Sequence, residues 1–122
     1  MKPHNRWLEF EHEDLKMAKL AFEEEIYNQV CFHSQQAVEK ALKYLIQKNG
    51  KVPPKTHKLI DLIQNLNNKK FSELKEKMML LDRFYIPTRY PDTLPVNLPE
   101  GSPNKKDATE ALEIAQCFLN KI

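Results

Sequence analysis

Apolar positions recur at helical spacing along most of the chain. Trp7, Phe10, Asp14, Met17, Ala18 and Ala21 keep such a spacing, with Leu8, Leu15 and Phe22 widening the apolar side. That period marks a helix laid against a core and predicts a first helix over about 4–23. A second is predicted over about 27–48, stopped by Asn49-Gly50, where glycine accepts the left-handed conformation of a helix end. Val52-Pro53-Pro54 then breaks the chain. Leu59, Ile60, Leu62, Ile63 and Leu66 predict a third helix over about 57–67, capped by Thr56. Leu74, Met78, Leu81 and Tyr85 predict a fourth over about 73–85, capped by Ser72. The fifth begins near Asn104 and turns Ala108, Ala111, Leu112, Ala115, Phe118 and Leu119 inward.

Between the last two helices, prolines recur at 87, 91, 95, 99 and 103. Proline removes a backbone donor and blocks helix, so 86–103 is expected to be a long extended or turning connection, of a length usually tied to function or disorder. Only two glycines interrupt the 122 residues. The expected fold is therefore all-α, an antiparallel up-and-down bundle of four to five helices forming one domain over 1–122.

The second helix carries the more informative pattern. Cys31, Val38, Leu42 and Leu45 cluster on one side of its wheel, extended by Val30, Ala37 and Ala41. Gln29, His33, Gln36, Lys40, Lys43 and Gln47 gather at the opposite pole. Such a stripe is either a solvated face or a donor-rich ridge suited to a phosphate, an acidic partner or a second copy of the chain. Ser34 and Gln35 fall near the apolar centre, where a buried amide must find a partner in a loop backbone, another helix or a neighbouring subunit. Glu39 lies on the flank, within reach of an arginine from the segment RFYIPTRYPD at 83–92.

Charge sharpens this picture. The net charge of +2 conceals seven acids against two lysines from Glu9 to Glu25, and six lysines with no acid from Lys40 to Lys58. The basic run is either a solvated face or a landing surface for phosphates. Of the 19 basic residues only three are arginines, and Arg83 and Arg89 sit among Phe84, Tyr85 and Tyr90. Cys31 and Cys117 both fall in apolar helical patterns and read as reduced core thiols. With no signal-like run at the N-terminus, a cytoplasmic location is expected. No apolar stretch approaches the roughly 20 residues that cross a bilayer. Histidines at 4, 12, 33 and 57 lack paired zinc spacing, and no glycine-rich phosphate loop occurs, so neither a metal nor a cofactor is expected.

HSQQAVEKALKYLI at 33–46, THKLIDLI at 56–63 and RFYIPTRYPD together resemble the HEPN family over about 28–95. The resemblance implies an antiparallel bundle, usually homodimeric, associated with a minimal nucleotidyltransferase as a toxin–antitoxin or substrate-binding pair. It also implies, for many members, a metal-independent RNase site in which arginine is followed four to six residues later by histidine. This sequence departs there, because no histidine follows His57. Arg6 and His12 match the spacing formally but point about 120° apart on one helix. The tyrosine that some members use as a nucleotide acceptor has no matching position either.

The expected function is thus non-catalytic binding of a nucleotide-like ligand or a nucleotidyltransferase partner. His33, Gln36, Lys40, Lys43 and Arg89 would meet phosphate, Tyr85 or Tyr90 would stack on a base, and Glu39, His57 and Asp92 would support them. The alternatives are an RNase with a rearranged site and a structural dimerisation module.

Overall fold

A computed structural model of the chain describes residues 3–66, 69, 73–84 and 102–122. Among them the regular structure is helical: α1 (Pro3–Glu23), α2 (Tyr27–Lys48), α3 (Leu59–Leu66), α4 (Lys75–Asp82) and α5 (Lys105–Leu119). The all-α expectation holds, and α2 matches its predicted span. None of these helices is long and apolar enough to cross a membrane.

The bundle is organised around α2, which packs against each of the other four helices. Its apolar side supplies Val30, Cys31, Val38, Ala41, Leu42 and Ile46 to a core completed by Leu59 and Leu62, Met78 and Leu81, and Ala111, Ala115 and Phe118. Alanines at 111 and 115 bring α5 close to α2, while Leu112 and Leu119 cover the margin of the core. Cys31 lies deep in this cluster, where burial, with the nearby Asp107 carboxylate, pushes its thiol up to about 12 and leaves it inert at neutral pH. Cys117 is exposed, not a core thiol as its apolar surroundings in the sequence imply.

Helix ends follow local chemistry where the chain provides it. Ile26 N–H bonds Ala21 O at 2.9 Å and Glu25 N–H bonds Phe22 O at 3.1 Å, closing α1 on a left-handed Glu25 with φ 59. The same pair of bonds closes α2 on Gly50, with φ 84. Asn104 accepts from Asp107 N–H at 2.9 Å, and the Asp107 carboxylate accepts from Asn104 N–H at 3.0 Å, a reciprocal cap for α5.

The two middle helices differ from expectation. α3 begins at Leu59 rather than 57, because its first amides are taken by Asp82 at the end of α4: Leu59 N–H at 2.8 Å and Ile60 N–H at 3.3 Å. Thr56 stays outside the helix, accepting from Lys58 N–H at 3.2 Å and donating to Asp61 at 3.1 Å. α4 is shorter than predicted, and Leu74 at its N-cap makes no side-chain cap. Ser72 and the proline-rich connection lie outside the described residues.

α1 differs in a more consequential way. Its positions form two seams, one facing α2 and one facing away. Ala18 and Ala21 are buried and Trp7 and Asp14 half-buried, whereas Phe10, Met17 and Leu20 are 44%, 49% and 46% exposed.

Candidate functional site

The polar stripe of α2 is not a solvated face. Gln36, Glu39 and Lys43 are buried and His33 and Lys40 half-buried, because α1 lies across one side and the start of α3 across the other. Burying donors and charges is unfavourable unless each finds a partner, and here they form one continuous chain of contacts.

It begins on α1. Asp14 Oδ1 lies 2.9 Å from His33 Nδ1, and its Oδ2 lies 3.5 Å from Lys40 Nζ. A carboxylate only accepts, so the His33 proton sits on Nδ1. Lys40 also donates to Gln36 Oε1 at 2.9 Å. The Gln36 amide donates to Gln35 Oε1 at 2.8 Å and to Glu39 Oε1 at 3.1 Å, using both of its hydrogens. Glu39 is 2% exposed. Its other oxygen takes Lys43 Nζ at 3.1 Å, one turn on, and Lys43 also stands over the Trp7 ring, 5.4 Å from its centroid.

His57 closes the chain from the far side. Its Nδ1 reaches both Glu39 oxygens, at 3.2 and 3.3 Å, while the other edge of its ring is half-exposed. Gln35 donates to the His57 carbonyl at 2.7 Å and to Asp82 at 3.3 Å. One hydrogen-bonded path therefore links α1, α2, the α3 entry and α4. Burial holds the Asp82 carboxyl above its ordinary range, against the amides of Leu59 and Ile60 and the Gln35 side chain, which act the other way.

The predicted site residues thus separate into two sets. His33, Gln36, Lys40 and Lys43, with Glu39 and His57, are brought together in the network. Tyr85, Arg89, Tyr90 and Asp92 lie outside the described residues. Arg83 is exposed and Arg89 lies outside the described residues; among the described residues Glu39 is contacted by Gln36, Lys43 and His57. Asp14, Gln35 and Asp82 complete the network without having been assigned to the site. A signal existed for Asp14, an acid within the helical apolar spacing of α1. None existed for Asp82, whose partners lie more than twenty residues away in sequence.

Glu11 occupies the same inward seam of α1, three residues before Asp14. It is buried, and its Oε2 has no hydrogen-bond partner among the described residues. That oxygen lies 3.3 Å from Nδ1 of the largely exposed His12, an ion pair only when the imidazole is protonated. Burial raises its carboxyl above the ordinary value of 4.5; the His12 charge opposes this and Asp14 adds to it. The folded chain therefore holds this proton more tightly than the unfolded chain does. That contribution to stability is full below pH 4.5 and is lost as pH rises through the folded value. Glu11→Gln is expected to stabilise the protein by about 1 kcal/mol at pH 7, a gain that vanishes toward pH 4. Thermal melts of both proteins across this range test it, and a difference independent of pH would contradict the assignment.

The run from Lys40 to Lys58 is also divided. Lys40 and Lys43 are neutralised by Asp14 and Glu39. Lys48, Lys51, Lys55 and Lys58 are exposed along the α2 end and the connection to α3, with the outer edge of His57 beside Lys58 in the chain. Lys51 donates to Asn65 O at 3.3 Å, and Lys48 stands over the Tyr44 ring. Among the described residues no group of three His, Cys, Asp or Glu side chains is placed to hold a metal ion.

Comparison with known proteins places this architecture. The HEPN domain profile matches residues 4–122. Two solved structures are similar over nearly their whole length. TT1696 from Thermus thermophilus is 35% identical, with a TM-score of 0.82 over 98% of this chain and 95% of that one. ST0689, described as an archaeal HEPN homologue, is 31% identical, with a TM-score of 0.76 over 99% of this chain and 95% of that one. A search of the curated proteins found no match. The similarity spans both terminal helices as well as the central blocks, and the chain belongs to the HEPN family.

Proposed function

We propose that this is a non-catalytic HEPN protein that binds a phosphate-bearing, nucleotide-like ligand, or the acidic face of a small nucleotidyltransferase partner, and does so as a homodimer. The observation that carries the reading is the division of the lysine run. Lys40 and Lys43 are held by carboxylates inside the bundle, so the positive surface falls to Lys48, Lys51, Lys55 and Lys58 with the outer edge of His57. Four ammonium groups along the α2 end and the connection to α3 favour a phosphate or an acidic protein surface. Arg89, with Tyr85 or Tyr90 as a stacking ring and Asp92 in support, joins this reading on sequence grounds.

In this reading the buried network holds the α3 entry, and with it His57, in place and does not itself receive the ligand. The absence of any histidine after His57 favours binding over phosphodiester cleavage.

Calorimetric titration with AMP, GMP and ATP at low salt, with EDTA present, tests the proposal. We expect binding that weakens with added salt and falls about tenfold in Lys55→Glu/Lys58→Glu. No heat with any nucleotide at millimolar concentration would remove the ligand half of the reading. Cleavage of a structured RNA under the same conditions, abolished by Arg89→Ala, would replace it with a rearranged RNase.

A further inference from the structure

The outward seam of α1 is unusual for a bundle surface. Arg6, Phe10, Glu13, Met17, Leu20 and Glu24 follow one another at spacings of four and three, and all six are exposed. Alternating steps of four and three average 3.5 residues, the repeat by which one helix keeps a straight edge against another. Three of the six are large apolar side chains, each nearly half exposed. A solvent-facing seam gains nothing from Phe, Met and Leu in one line.

Beside the seam lies a hollow of about 210 Å³, whose lining includes Met17, Leu20, Ala21 and Glu24, with Ile26 from the turn that follows. Residues i, i+3, i+4 and i+7 are the four that form a hole for a side chain from a facing helix. Gln29 and His33 of α2 also line it, and it stands open beside the two helices.

The occupant follows from the register. If a second α1 runs antiparallel across the first, with the two-fold axis at position 15, each residue meets the one whose number brings the sum to 30. Leu20 then faces Phe10, whose ring enters the hollow. Met17 faces Glu13, laying its thioether against the methylenes of the glutamate. Arg6 faces Glu24 at both ends, about 27 Å apart along the axis at 1.5 Å per residue. The hole and the charged ends specify this register independently. A parallel arrangement would set Arg6 against Arg6 and Glu24 against Glu24, placing like charges together.

We infer that the outward seam of α1 is a self-complementary docking surface for a second copy of this chain, paired antiparallel with Phe10 as its anchor. The inference rests on the homodimeric part of the proposed function and is independent of any ligand. One helix pair with its flanking turn is a modest contact, so the dimer is expected to form reversibly as concentration rises.

Sedimentation equilibrium from about 5 to about 500 µM, with reductant present because Cys117 is exposed, gives the dissociation constant directly. Phe10→Glu and Leu20→Glu are each expected to raise it at least about tenfold, since a two-fold contact suffers each change twice. Arg6→Glu should weaken the dimer, and Arg6→Glu with Glu24→Arg should restore it. All four positions of change are exposed, and circular dichroism checks that each variant folds. A chain that stays monomeric to about 500 µM overturns both this inference and the homodimer. A dimer unmoved by Phe10→Glu and Leu20→Glu overturns the α1 surface alone. Loss with those two variants but no response to either charge reversal overturns the antiparallel register.

Discussion

Glu39→Ala is expected to lower the unfolding free energy by about 3–5 kcal/mol, the range for removing one partner of a buried ion pair. The truncation removes more than a favourable contact. It leaves Lys43 charged and largely buried, 3.1 Å from where its carboxylate stood, and deprives His57 of both oxygens that orient its ring. The Trp7 ring above Lys43 compensates weakly at best. The penalty is therefore mainly that of an uncompensated buried cation. A second variant separates the two contributions: Glu39→Leu with Lys43→Met removes both charges and keeps side-chain volume. It is expected to recover most of the loss, since apolar replacement of a buried pair is commonly neutral or stabilising. Urea unfolding of the three proteins at pH 7 measures this. A single variant within about 1 kcal/mol of wild type would mean that water already reaches Lys43 and that the network is not enclosed.

The same residues show how far a linear reading goes. Helix periodicity and the wheel of α2 depend on local geometry, so they place His33, Gln36, Lys40 and Lys43 on one face correctly. What covers that face is decided by α1, and the wheel of one helix contains no information about its neighbours. The clue lay in the other helix, where Asp14 sits among inward positions and supplies the carboxylate for His33 and Lys40. α1 also shows the limit of hydrophobicity as a guide to burial. Phe10 and Met17 share a helical period with Trp7, Ala18 and Ala21, yet two seams pass through those positions and only one meets the core. Burial of Glu11, against its residue type, has the same origin, because its place on the helix and not its polarity decided where it went. Helix ends were legible where their chemistry is local, at Asn49-Gly50 and Asn104. They were not legible at α3, whose cap arrives from α4.

That imported cap carries the other large effect. Asp82→Ala strands the Leu59 and Ile60 amides and removes one of the two acceptors of the Gln35 amide. Loss of a helix cap costs about 0.5–2 kcal/mol, and a donor left without an acceptor in a part-buried site adds about 1–3 kcal/mol. A total of about 2–4 kcal/mol is expected, the two contributions overlapping because they share the same amides. Asp82→Asn should lose less, since its carbonyl oxygen can still accept from Leu59 N–H. The carboxylate that it replaces is itself disfavoured by burial. The consequence extends beyond stability. α3 is only eight residues long, too short to persist in water without tertiary support. Releasing its first turn frees His57 and the lysines that precede and follow it. Hydrogen exchange is therefore expected to show the amides of 59–63 opening well before those of α2 in Asp82→Ala, whereas in the wild type the two helices are protected together. Uniform loss of protection across α2 and α3 would instead make Asp82 a brace for the whole bundle, with no particular hold on the entry to α3.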